Sequence, residues 1–168
     1  MWQQTEPMAE STAELEILDR VGAEVMETMF FSEAVASPCG HEWMGRAVGA
    51  RVRFSGTHCG EVLIGVSGEA AQSIAAGFLG LDTIELAPAQ LSQVILELAN
   101  ILCGAAMSHL WPESALALEA PELVDPCVAM AAGWHRCFTL PEGMLAVTIR
   151  MAACDAPTKA FVPEGNAA

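Results

Sequence analysis

Basic residues are scarce in this chain. Seven lysines and arginines stand against 21 aspartates and glutamates, a formal charge of −14 over 168 residues, and no basic run occurs. Such a charge repels a phosphate backbone and an anionic lipid surface alike, which argues against nucleic-acid binding and against electrostatic attachment to membranes. Long apolar runs are also missing, since no stretch is expected to approach the roughly 20 residues of a bilayer span. Met1 to Glu10 has neither the basic nor the apolar part of a signal peptide. A cytoplasmic protein with no membrane segment is therefore expected. Cysteine pairs of the C-x-x-C kind are absent too. The six cysteines, Cys39, Cys59, Cys103, Cys127, Cys137 and Cys154, are scattered. Without a secretion signal they are expected to be reduced thiols acting as small buried hydrophobes. Cys39-Gly-His41, His58-Cys59 and His135-Arg-Cys137 carry ligand types, but not the two-ligand clusters of a structural zinc site, so no metal is expected.

Apolar content, by contrast, is ample. With 53% hydrophobic residues, a chain of this length can bury the core of one domain. Residues 11–154 are assigned to that domain, and 1–10 and 155–168 to flexible tails. Its organising stretch is Gln90 to Leu110. Leu91, Val94, Ile95, Leu98, Ile101, Leu102 and Ala105 recur at threes and fours, the period of a helix with one buried face. Gln93, Glu97, Asn100 and Gly104 form a narrow polar stripe on the opposite face. Asn and Gly are weak helix formers, Gly by about 1 kcal/mol relative to Ala. Their presence on one stripe asks for a reason, and a glycine there leaves a notch where a partner's backbone can come close.

Before this helix, Ser11-Thr12-Ala13-Glu14 has the form of a capping box. It opens a helix to about Phe31, with Leu15, Leu18, Val21, Gly22, Val25 and Met29 as its buried stripe. Ser37-Pro38-Cys39-Gly40 breaks the chain. Strands are expected at Ala47–Phe54 and Glu61–Val66, and a helix follows, capped by Ser67 and ended by Gly80. Pro88 suits the first turn of the central helix and Trp111-Pro112 stops it. Strands are expected again at 115–119, 128–140 and 144–151.

An internal repeat runs through this order. Laying the first helix on the central one puts Leu18 on Leu91, Val21 on Val94, Glu24 on Glu97, Val25 on Leu98 and Met29 on Leu102. Gly60–Val66 likewise resembles Gly143–Ile149. Each half reads as helix then hairpin. The expected fold class is α/β: a pseudo-twofold repeat whose hairpins join in one antiparallel sheet, with the long helices packed on one face. Glu27 stands where the second half has Asn100, so a second polar site is not intact.

Gly60-Glu61-Val62-Leu63-Ile64-Gly65, Ala75-Ala76-Gly77-Phe78-Leu79-Gly80-Leu81-Asp82 and Glu97-Leu98-Ala99-Asn100-Ile101-Leu102-Cys103-Gly104 resemble the CheX-like branch of the chemotaxis phosphatases, relatives of CheC and FliY. The resemblance covers about Ala13 to Met151. It implies the CheC/CheX-like fold and hydrolysis of the aspartyl phosphate on a CheY-like receiver domain. It also implies that Glu97 pairs with the receiver's lysine and that Asn100 orients the attacking water. Gln93 and Gly104 would then touch the partner. The Mg²⁺ would come with the receiver, so the chain needs no cofactor of its own. A homodimer joined through sheet edges is expected, with residues 115–137 as the apolar stretch least protected by charge. The alternative is a module of the same fold that binds a receiver or a flagellar component without turnover.

Overall fold

A computed structural model describes residues 12–40, 46–130 and 132–154. In chain order these residues form α1 (Thr12–Met29), β1 (Val35–Ser37), β2 (Val48–Gly56), β3 (Cys59–Val66), α2 (Gly68–Leu79), α3 (Pro88–Leu110), β4 (Leu116–Leu118), β5 (Glu122–Val124), β6 (Trp134–Leu140) and β7 (Gly143–Ala152). The Ser11 capping box and both tails lie outside the described residues.

Two of the helix ends follow from local chemistry. Gly80, at φ 67°, occupies the left-handed position after α2, where Leu81 N–H reaches Ala76 O at 2.9 Å and Gly80 N–H reaches Gly77 O at 3.3 Å. These are the two bonds of a Schellman stop. At the start of α3, Pro88 fills the first turn and Gln90 Oε1 accepts the Ala87 N–H at 2.9 Å. Ser67 sits at the cap position of α2, but its hydroxyl does not cap the helix. It accepts the Met144 N–H at 3.0 Å while Ser67 N–H returns a bond to Met144 O at 3.0 Å. The β6–β7 turn is thereby docked on the β3–α2 connection. Gly143 allows this approach, since a Cβ there would overlap the Ser67 side chain.

The strands differ from expectation in three places. β1 and β5, three residues each, are too short to read as alternation. The strand expected over 128–140 begins only at Trp134, because Pro126–Met130 is a 3₁₀ turn. Asp125 explains it: its carboxylate accepts the Cys127 N–H at 2.9 Å and its carbonyl the Val128 N–H at 3.0 Å, closing a turn where proline offers no N–H to a ladder.

The strands make one antiparallel sheet in the order β1-β6-β7-β3-β2-β4, with β5 also paired to β2. The repeat is visible in its register. The sequence alignment makes Ile64 the equivalent of Val147, and these two residues face each other across the β3–β7 pair. A pseudo-twofold axis therefore passes between them, and the hairpins β2–β3 and β6–β7 join back to back.

All three helices share a core with one face of this sheet. Leu18, Val21, Val25 and Met26 of α1 and Val94, Ile95, Leu98 and Leu102 of α3 meet Val52, Phe54, Val62, Ile64, Phe138, Leu145 and Ile149 there. Gly22 lets α1 lie directly on Phe138, whose ring a Cβ would penetrate. One expected stripe residue fails: Met29 is exposed, and Met26 is buried in its place. The length and hydropathy of α3 also correct an expectation. An 18-residue window with mean hydropathy 1.4 makes Pro88–Leu110 long and apolar enough to span a bilayer. Here its apolar face is covered by the sheet and the other helices.

The opposite face is only partly covered. Leu63, Cys137, Ala146 and Thr148 are buried there, as alternation requires, and the 126–130 turn crosses it close above Gly49. Two disulfides also lie on this side, Cys39–Cys137 and Cys59–Cys154, which overturns the expectation of free thiols. The register brings them together. Ser37 faces Cys137 and Cys59 faces Ala152, so Cys39 and Cys154, each two residues further on, arrive beside their partners. Cys103 is the buried hydrophobe that was expected, with burial pushing its thiol up to about 12. Cys127 is free and exposed; Asp125 beside it raises its thiol above the usual value.

Candidate functional site

α3 buries Val94, Ile95, Leu98, Ala99, Leu102, Cys103, Ala106 and Met107. The residues left over fall on the opposite side. Gln93 and Glu97 are exposed, and Asn100 and Gly104 are half-buried. Glu97 and Asn100 stand one turn apart, about 4.5 Å along the axis. Among the described residues neither side chain takes a hydrogen-bond or ion-pair partner within the chain. A carboxylate and an amide are thus presented together to solvent, held by a helix whose other face is fixed in the core. A carboxylate can only accept or pair with a cation, whereas an amide can accept and donate at once. That combination suits positioning rather than proton transfer.

Gly104 continues the stripe. A Cβ built on it would meet only Leu118 Cδ1, at 4.0 Å, so the backbone is open to an approaching group. Beside it lies a cleft of about 220 Å³ lined by Gly104, Met107, Ser108, Trp111, Leu116 and Leu118, among others. Trp111 is held by stacking on His58 at 4.2 Å and by Phe54 at 6.0 Å. Sequence reasoning missed Trp111 and Leu118 as neighbours of the stripe. They come from the end of α3 and from β4, and no spacing connects them. In the run Ala105 to Ser108, Ala106 and Met107 are buried, while Ser108 is exposed at the cleft.

In α1 the equivalent positions Glu24 and Glu27 are both exposed. The first half thus offers two carboxylates and no amide.

On the far side of the sheet the structure gathers residues that the sequence kept apart. Cys39, His135 and Cys137 have their ligand atoms within 4.8 Å of one another. His41 lies outside the described residues, and His58 is engaged with Trp111. The same face carries a charge network. Arg51 bonds Glu122 through Nε at 2.8 Å and Nη2 at 2.6 Å, Arg53 lies 3.0 Å from Glu122, and Arg150 pairs with Glu61. The Arg51 bond, followed by the charges of Arg51 and Arg53, holds the Glu122 carboxyl below the usual range.

Comparison with known proteins bears on this arrangement. Residues 48–127 match the family described as chemotaxis phosphatase CheX. No curated protein matches the sequence. Among solved structures, CheX of Vibrio vulnificus superposes with a TM-score of 0.66 at 15% identity, over 83% of this chain and 96% of that one. The CheX–CheY–BeF₃–Mg²⁺ complex of Borrelia burgdorferi gives 0.64 at 16% identity, over 83% and 98%. The FliM middle domain of Vibrio alginolyticus gives 0.55 at 18%, over 84% and 94%. The matched stretch contains both Glu97 and Asn100, and the superposed fold includes both repeats. Residues 48–127 thus match the CheX family by sequence, and more than four fifths of the chain has the fold of the CheX structures.

Proposed function

We propose that this protein hydrolyses the aspartyl phosphate of a CheY-like receiver domain, in chemotaxis or a related two-component pathway. The observation that carries the reading is the pair Glu97 and Asn100, one turn apart on the outward face of α3 beside the open backbone of Gly104. Hydrolysis of such a phosphate needs water held in line with phosphorus while charge on the phosphoryl oxygens is neutralised. The receiver's own Mg²⁺ and lysine supply the neutralising charge. The added protein need only dock and hold the water. Asn100 accepts from the water through its carbonyl and donates through its NH₂, which fixes the line of attack. Glu97 pairs with the receiver's lysine and sets the register of docking. Gln93 and Gly104 contact the partner above and below. No cofactor of the chain's own enters the reaction.

The test is to incubate the protein with a receiver phosphorylated by a small phosphodonor and to follow loss of the phosphoryl group. Decay faster than that of the receiver alone supports the reading. The second reading is a module of the same fold that binds a receiver or a flagellar component without turnover, since a fold does not fix a function. It predicts binding to the phosphorylated receiver with unaltered decay.

A further inference from the structure

The cluster on the face of the sheet opposite the α3 stripe has the makings of a cation site. His135 and Cys137 are two residues apart on β6, so both side chains leave the strand on the same side. Cys39 joins them from the chain that follows β1, brought there by the pairing of Ser37 with Cys137. Its Cα lies 5.3 Å from that of Cys137. His135 Nε2 lies 3.5 Å from Cys137 Sγ, while His135 Nδ1 lies 2.6 Å from the hydroxyl of Thr148, a fully buried residue of β7. This is how a metal-ligating imidazole is usually held: one nitrogen is engaged by a neighbouring polar group and the other points at the site.

We propose that, once the Cys39–Cys137 bond is reduced, Cys39, Cys137 and His135 bind a thiophilic divalent cation such as Zn²⁺. Two thiolates and one imidazole make a three-ligand set of the kind that leaves a fourth, tetrahedral position to water. Around Zn²⁺, with Zn–S bonds of about 2.3 Å, the two sulfurs would stand roughly 3.8 Å apart. The disulfide holds them much closer, so bond and cation exclude each other. The state of the pair decides which is present. Reduction by a phosphine supplies two electrons and leaves two thiols, and the phosphine departs as its oxide with oxygen from water. Binding of the cation then releases the two thiol protons.

Co²⁺ is the probe. A background carrying Cys59→Ser and Cys154→Ser removes the other pair, and the phosphine keeps the remaining thiols reduced. One equivalent of Co²⁺ should then bind with thiolate-to-cobalt charge-transfer absorption and tetrahedral d–d bands, and Zn²⁺ should abolish both. Cys39→Ser, at an exposed position that need not disturb the fold, should lose most of the charge-transfer intensity. His135→Gln should weaken binding, and Thr148→Val should weaken it by about ten- to a hundredfold. The protein with its disulfide intact should give no such band. Cobalt held without charge transfer, as exposed carboxylates would hold it, overturns the proposal. So does a charge-transfer band that Cys39→Ser leaves unchanged.

Discussion

Asn100 and Glu97 are neighbours to which the proposed mechanism gives different duties, and single substitutions separate them. On the proposed mechanism Asn100→Ala removes the group that holds water but keeps the docking carboxylate, so receiver dephosphorylation should fall by roughly a hundredfold or more while binding persists. The melting temperature should hold or rise slightly, because alanine is the better helix former and the side chain is only half-buried. Glu97→Ala should weaken binding as well as turnover, which rate measurements at low and saturating protein would separate. Equal rates for Asn100→Ala and the parent would sink the mechanism. Gly104→Ala tests the notch. Space is available for the methyl, so stability should rise by up to about 1 kcal/mol in urea, yet affinity for the phosphorylated receiver should drop. These two outcomes point in opposite directions only if the open backbone serves a partner.

At the scale of elements, Gly22 brings α1 directly onto Phe138 of β6. Gly22→Ala would gain helix propensity in isolation, but its methyl would enter the Phe138 ring. We expect a net loss of about 1–3 kcal/mol in urea unfolding, recovered in part by Phe138→Leu. On the far face, the network around β2 makes a prediction about acid. Glu122 is held below its ordinary value of 4.5 by the Arg51 bond. Its contribution is therefore complete above that value and is lost as pH falls through the lower, folded-state value. Arg51→Gln should lower stability at neutral pH and make the acid limb of a melting profile shallower. Identical acid limbs would remove the network from the account. The legible part of this scale was the long, periodic segments. α1, α3 and the two hairpins announced themselves because their buried faces repeat at 3.6 or 2 residues. β1, β5 and the 126–130 turn did not, because three residues carry no period and the turn depends on the carboxylate of Asp125.

For the molecule as a whole, the sheet formed by the described residues has two open edges, β1 at one end and β4 with β5 at the other. The stretch 115–137 expected to mediate pairing is thus divided: β6 lies inside the sheet, and only β4 and β5 are at an edge. Leu118 and Leu123 are exposed there, beside Glu119 and Glu122, which are paired with arginines of β2. We expect a homodimer through this edge. Light scattering at micromolar concentration should report twice the chain mass, and Leu118→Lys should reduce it to one. A single chain mass for the parent refutes the pairing.

The sequence by itself determined the repeat, the two long helices, the shared hairpin pattern and the polar stripe of α3. Each of these is periodic or local, and burial of one face is enough to specify it. Tertiary structure alone decided which residues from distant segments meet. Trp111 and Leu118 border the cleft beside Gly104 because β4 returns to pair with β2. Cys39 reaches Cys137, and Cys59 reaches Cys154, because strand register sets them side by side across separations of 98 and 95 residues. Composition could not foresee those pairs, since reactivity of a thiol toward another depends on distance, and distance here is a property of the sheet.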